Sequence, residues 1–250
     1  MHRSDPAQPM PMWESAIILV VITLLGIFCF YGVRPYLEKI GFNGYSAYLY
    51  SISIVFIVMI LWSVIAYIRE GNQISLKAFL NRTRLNRFRP NVIVWSFGLG
   101  LLMFLSTALF SPLISRSISG GFLPIPNGIP DYINPMKQQS ISTIKNQLIS
   151  NEVLLLIPVV LLLNIVGEEL FWRGMIFPRQ EIIHGNRTYL VHGAIWALSH
   201  LFQYWLLLPI FVGSIALSFA IQQTKNTWVG IIAHVVNNAL PLVIMIFIPT

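Results

Sequence analysis

Charge is scarce in this chain. Of its 250 residues, 10% are Asp, Glu, Lys or Arg and 56% are hydrophobic. Soluble domains carry about 25% charged residues. A water-soluble fold of this length cannot hide so much apolar surface, so the solvent is lipid. Cysteine is nearly absent as well, and the single Cys29 excludes an intramolecular disulfide. The first apolar run, Ser15 to Val33, lacks a following small-residue cleavage site, which marks a retained helix and not a signal peptide. No internal repeat is visible. The net charge of +7 is concentrated in a few short segments. That pattern suits membrane topology and anionic headgroups, and it argues against a nucleic-acid partner.

What remains is a series of long apolar runs. A crossing needs roughly 20 apolar residues. Uncharged stretches of that order run from Ser15 to Val33, Tyr45 to Ile68 and Asn91 to Ser115. A fourth starts near Val153 and reaches full length only by continuing through "GEELFWRG" to Pro178. Thr188 to Thr224 holds no Asp, Glu, Lys or Arg. As one helix it would be about 55 Å long, so a break near Leu208-Pro209 is expected, giving two crossings. The last runs from Trp228 to Pro249. The expected fold is all-α: a polytopic membrane protein of about seven transmembrane helices, with the active site in a cavity of the C-terminal four. Residues 1–152 would form the N-terminal helices and a long external loop, Arg116 to Asn151, and residues 153–250 the catalytic core.

Arg69 to Pro90 carries Arg69, Lys77, Arg82, Arg84, Arg87 and Arg89 against the single Glu70. The positive-inside rule places that segment in the cytoplasm. Seven crossings then put the N-terminus, the Arg179–Arg187 loop and Lys225 on the same side, with ten Lys and Arg inside and five outside.

Glu168, Glu169 and Arg173 are the acidic and basic residues left within a span. Each costs about 2.5–3.5 kcal/mol at a helix centre on insertion scales. On an α-helix, adjacent residues are separated by about 100°, so the two glutamates face different ways. Glu169 and Arg173, four apart, are placed for an ion pair; Glu168 looks elsewhere. A structural ion pair is the plain reading of these residues. Two histidines argue for more. His200 ends "IWALSH", and His234 opens "HVVNN", with Asn238 one turn later. Measured from the cytoplasmic helix ends, Glu168 lies at about 15 Å, His200 at about 16 Å, His234 at about 9 Å and Asn238 at about 15 Å. Polar groups from three helices at similar depths point to one shared cavity, and ionisable groups within a membrane default to function. His2, His184 and His192 receive no role.

These residues resemble the CPBP family, also called Abi or CAAX-protease-like proteins. "EELFWR" is similar to its Glu-Glu-x-x-x-Arg motif, and "HVVNN" to His-x-x-x-Asn. "WALSH" is similar to Phe-x-x-x-His, with Trp196 in place of the phenylalanine. The resemblance covers Val153 to the C-terminus; the first three crossings agree by hydropathy. It implies an intramembrane endopeptidase of the CAAX prenyl protease type. By that resemblance Glu168 and His200 orient and deprotonate a water, His234 and Asn238 stabilise the oxyanion, and Glu169 and Arg173 support helix four and balance charge.

Two routes to hydrolysis remain open. Zinc bound by Glu168, His200 and His234 would keep a fourth position for water. The His-Glu-x-x-His helix of many zinc proteases is absent, and Glu169, the remaining carboxylate, is expected to point away. Metal-independent hydrolysis, with no cofactor, is therefore favoured. The expected partners are the bilayer and a peptide or membrane-protein substrate, lipidated in the CaaX case. The opening of the active site is expected on the cytoplasmic side. A non-proteolytic scaffold or bacteriocin self-immunity protein of the same family is the alternative. A proton-coupled carrier would require matched repeats or broken helices.

Overall fold

A computed structural model of the chain describes residues 7–126, 129, 134 and 151–247. Most of the expected external loop lies outside them, as do residues 248–250. Every regular element among the described residues is a helix. In lipid an isolated segment must satisfy its own backbone, which an α-helix does. Helix α1 (Met12–Phe28) passes through a π-helical turn, Cys29–Val33, into α2 (Arg34–Lys39). Then come α3 (Gly44–Arg69), α4 (Leu76–Arg82) and α5 (Pro90–Ser119). The C-terminal part contains α6 (Asn151–Glu168), α7 (Phe177–His184), α8 (Thr188–Leu198), α9 (Leu207–Thr224) and α10 (Trp228–Phe247). Local chemistry sets several of the starts. Asn43 and Ser75 cap α3 and α4 with side-chain oxygens, and Pro90 opens α5, where its missing N–H is not needed.

Five runs are long and apolar enough to cross a membrane: Met12–Lys39, Gly44–Arg69, Pro90–Ser119, Glu152–Leu198 and Leu201–Thr224. The protein is thus an all-helical integral membrane protein. The fourth run is folded back on itself. Gly185, at φ +52°, turns the chain between α7 and α8. Gln180 on α7 then bonds the ring of His192 on α8 at 2.7 Å.

The break expected at Leu208-Pro209 falls earlier. Helix α8 stops after 11 residues, and a 3-10 segment, Leu201–Leu206, precedes α9. Side chains explain the early stop. The Ser199 hydroxyl donates to the Trp196 carbonyl at 2.7 Å, and His200 Nδ1 lies 3.0 Å from the same oxygen. The His200 amide turns to Ala197 instead. Pro209 falls in the first turn of α9, where a proline costs no hydrogen bond.

Two helix pairs frame the interior: α3 runs along α6, and α5 along α10. Gly100 permits the second contact. A Cβ there would stand 2.6 Å from Cβ of Val236 and 2.8 Å from the Ala233 carbonyl. Helices in lipid associate through such close backbone approaches.

The basic segments converge on one end. Arg179 pairs with Glu14 at 2.7 Å, Arg84 with Glu181 at 2.6 Å, and the Thr227 hydroxyl donates to the Thr83 carbonyl at 2.6 Å. Arg82 holds Glu70 by two bonds of 2.6 Å and donates a third, at 2.9 Å, to the Gly174 carbonyl. A planar guanidinium is suited to such forked contact. Arg82→Ala should therefore strand Glu70 and loosen the motif segment. At this half-buried site we expect a loss of roughly 2–3 kcal/mol. A thermal melt in detergent should fall by roughly 5–10 °C. An unchanged melting temperature would show that the fork contributes no stability.

Candidate active site

The helix bearing "GEELFWRG" changes its winding at the motif. Residues through Glu168 are α-helical, whereas Glu169–Ile176 forms a π-helix. The wider turn, with i→i+5 bonds, reduces the angle between neighbouring side chains. Whereas Glu168 lines the cavity of the site, Glu169 turns toward α10 and is absent from that lining. Its Oε1 accepts from Arg173 Nη1 at 3.0 Å and from His234 Nδ1 at 3.1 Å. The expected ion pair is present, and both partners are fully buried. Gly230 on α10 provides the space: a Cβ there would lie 1.9 Å from Oε2 of Glu169.

Glu168 has no cationic partner within bonding distance. Its Oε1 accepts from Asn164 Nδ2 and its Oε2 from Trp196 Nε1, each at 2.9 Å. Trp196 serves both charges of the motif. Its indole edge meets the Glu168 carboxylate, and its ring carries Arg173 Cζ 4.0 Å from the centroid. The rings of His200 and His234 pack edge-on against it. The tryptophan that replaces phenylalanine is the hub of the site, a role that required its N–H as well as its ring.

The acceptors around each histidine set its tautomer. A carbonyl and a carboxylate can only accept, so Nδ1 of His200 donates to the Trp196 carbonyl and Nδ1 of His234 donates to Glu169. The Nε2 atom of each ring is left for other partners. Asn238 Nδ2 donates to Asn164 Oδ1 at 2.8 Å, and Asn237 Nδ2 donates to Asn238 Oδ1 at 2.8 Å.

Glu168, Trp196, His200, His234 and Asn238 line one cavity of about 210 Å³. Glu169 and Arg173 lie behind its wall. A second cavity of about 620 Å³, between α3, α5, α6 and α10, shares Tyr48, Asn164, Asn237 and Asn238 with the first. Among the described residues the cavity lining runs away from the basic end. Gly167 to Pro178 are all buried, and that segment leads toward the basic loops. Asn164, His200, Asn237 and Asn238 are only partly buried, and the lining continues to Thr107 and Tyr48 toward the other end. The depths estimated from sequence located the layer but could not show which side of it was filled.

Among the described residues, no three His, Cys, Asp or Glu side chains are grouped to hold a metal ion. Sequence reasoning missed Asn164, Asn237 and the N–H role of Trp196. Asn164 was findable: it stands four residues before Glu168, on the same helix face, as a polar residue within an apolar span.

Comparison with known proteins bears on this same segment. Residues 150–240 match the family model described as type II CAAX prenyl endopeptidase Rce1-like. The match covers the C-terminal part of the chain, from 150 to 240. It is consistent with the CPBP resemblance, and it spans every motif residue from Glu168 to Asn238. No curated protein and no solved structure matches the chain.

The matched segment depends on Trp196 in two separable ways. Trp196→Phe keeps a ring over Arg173 but removes the donor to Glu168. A hydrogen bond to a charged group contributes about 1.5–3 kcal/mol, which the melting curve of the variant should lose. Trp196→Leu also removes the ring and should lose a further 1–2 kcal/mol or so. Equal melting of Trp196→Phe and wild type would show that the indole bond is not stabilising.

Proposed function

We propose that this protein is an intramembrane endopeptidase that hydrolyses a peptide bond in a membrane-associated protein or peptide precursor, including prenylated CaaX-type substrates. The observation that carries the reading is the convergence of Glu168, His200, His234 and Asn238 on one cavity inside the segment that matches the Rce1-like family model. The Glu168 carboxylate takes a proton from a water whose second hydrogen is accepted by Nε2 of His200. The water oxygen bonds to the scissile carbonyl carbon, and the carbonyl oxygen becomes an oxyanion. Asn238 supplies an N–H to it, and His234 helps to stabilise it. Collapse breaks the C–N bond, and Glu168 returns its proton to the leaving amine. One water is consumed, and no metal takes part. Glu169 and Arg173 position His234 and balance charge. The larger adjoining cavity, apolar over most of its wall, accommodates the apolar portion of the substrate.

Purified protein should cleave an internally quenched peptide carrying a farnesylated CaaX sequence. Glu168→Ala should lower turnover to background while the protein still inserts and folds. Dialysis against a hydrophilic chelator should leave cleavage intact. Near wild-type cleavage by Glu168→Ala would remove Glu168 as the base. Activity that is lost on chelation and restored by stoichiometric zinc would replace this mechanism with a metal-dependent one.

We further propose that the basic end is cytoplasmic, since Arg82, Arg84, Arg179 and Lys225 gather there. In a Cys29→Ser background, an impermeant maleimide should label Lys39→Cys in intact cells. Lys77→Cys should react only after lysis. The reverse pattern would invert the protein in the membrane.

A further inference from the structure

We infer that Asn164, which belongs to none of the three motifs, is a positioning residue that sets the amide orientation of Asn238 and so aligns the oxyanion donor with the base; this rests on the hydrolytic reading above. The observation is an unbroken chain of four side chains. Asn237 Nδ2 donates to Asn238 Oδ1, Asn238 Nδ2 to Asn164 Oδ1, and Asn164 Nδ2 to Glu168 Oε1. The distances are 2.8, 2.8 and 2.9 Å.

The direction of this chain follows from its end. An ionised carboxylate can only accept. Asn164 must therefore present its NH₂ to Glu168, which leaves its oxygen for Asn238. Asn238 must answer with its own NH₂. Its oxygen then faces Asn237, which donates to it. Reversing the Asn238 amide would set two carbonyl oxygens 2.8 Å apart. The polarity of the base is thus transmitted through Asn164 to the oxyanion donor.

The consequence is chemical. An asparagine NH₂ has two N–H groups. Asn238 spends one on Asn164 and keeps the other for the cavity it lines. A flipped Asn238 would offer the developing oxyanion a carbonyl, which repels it. Asn164 also holds Glu168, since it lies one turn before it on α6. Its effect should appear in turnover and not in substrate affinity.

The test is a double-mutant cycle on cleavage of the quenched farnesylated peptide, with kcat and KM measured separately. Asn164→Leu removes both contacts. Asn164→Asp keeps the acceptor for Asn238 but cannot donate to Glu168. Each should lower kcat by roughly 10- to 100-fold, with KM changed by less than about threefold. Asn238→Ala alone should lower kcat by about 100- to 1,000-fold. Adding Asn164→Leu to Asn238→Ala should cost much less than Asn164→Leu costs in wild type, because Asn164 then has one fewer partner to act through. A simple structural role would give multiplicative losses in the cycle, and that result overturns the proposal. So does near wild-type kcat in both Asn164 variants. If Asn164→Leu fails to fold, the decision passes to Asn164→Asp, which has the same size, in the same cycle. Failure of the wild-type protein to cleave the peptide removes the hydrolytic reading and this inference with it, whereas active wild type with unaffected Asn164 variants removes the inference alone.

Discussion

A buried charge must find its partner within the protein, because the bilayer offers none. Glu169 and Arg173 meet this demand as a fully buried pair at 3.0 Å. Desolvation makes such a pair expensive, and it persists only where geometry is good and further bonds are made. The surroundings supply them. Glu169 also takes the N–H of His234, and Arg173 rests on the ring of Trp196. The π-helical winding that turns Glu169 toward α10 and the missing side chain at Gly230 both serve this arrangement. With those two charges cancelling, Glu168 is the one negative group in the cavity wall among the described residues. It is held by neutral donors alone.

The basic end has a mechanical part beyond topology. Arg82, from a short helix outside the apolar runs, donates to the Gly174 carbonyl, one residue beyond Arg173. A π-helix has poorer packing of its backbone bonds than an α-helix and is usually confined to short stretches. Outside help at Gly174 fixes the segment that carries the ion pair. The sidedness of the protein and the geometry of its candidate site thus share one residue.

Much of the site was legible because each motif is confined to a single helix. Glu169 and Arg173, and likewise His234 and Asn238, are four apart, so each pair lies on one face whatever the rest of the fold does. Depth counting then brought three helices to one layer. It failed where winding changed. No pattern in "EELFWRG" announces a π-helix, although Glu168 and Glu169 still diverge and only the former lines the cavity. The break in Thr188–Thr224 was placed at the residue with the strongest local signal, Pro209. The actual stop, at Ser199 and His200, comes from two side chains competing for one carbonyl, which hydropathy does not register. Seven crossings were read, and among the described residues five runs are long and apolar enough to span, one of which, Glu152–Leu198, is folded into two arms.

The shortness of α8 bears on how the chain enters the bilayer. Eleven residues span about 16 Å, half of a hydrocarbon core of roughly 30 Å. The 3-10 segment that follows leaves some of its backbone poorly paired. Released alone into lipid, this stretch would be a weak insertion signal. Its support comes later in the sequence: Ser214 donates to the Gly193 carbonyl, and Gln222 bonds both the Tyr189 amide and the Gly185 carbonyl. These contacts do not exist until the ribosome has made Gln222. The segment bearing His200 therefore depends on α9 for its support, and the cavity, lined also by Pro209, Gly213, His234 and Asn238, is complete only when α9 and α10 are both in place.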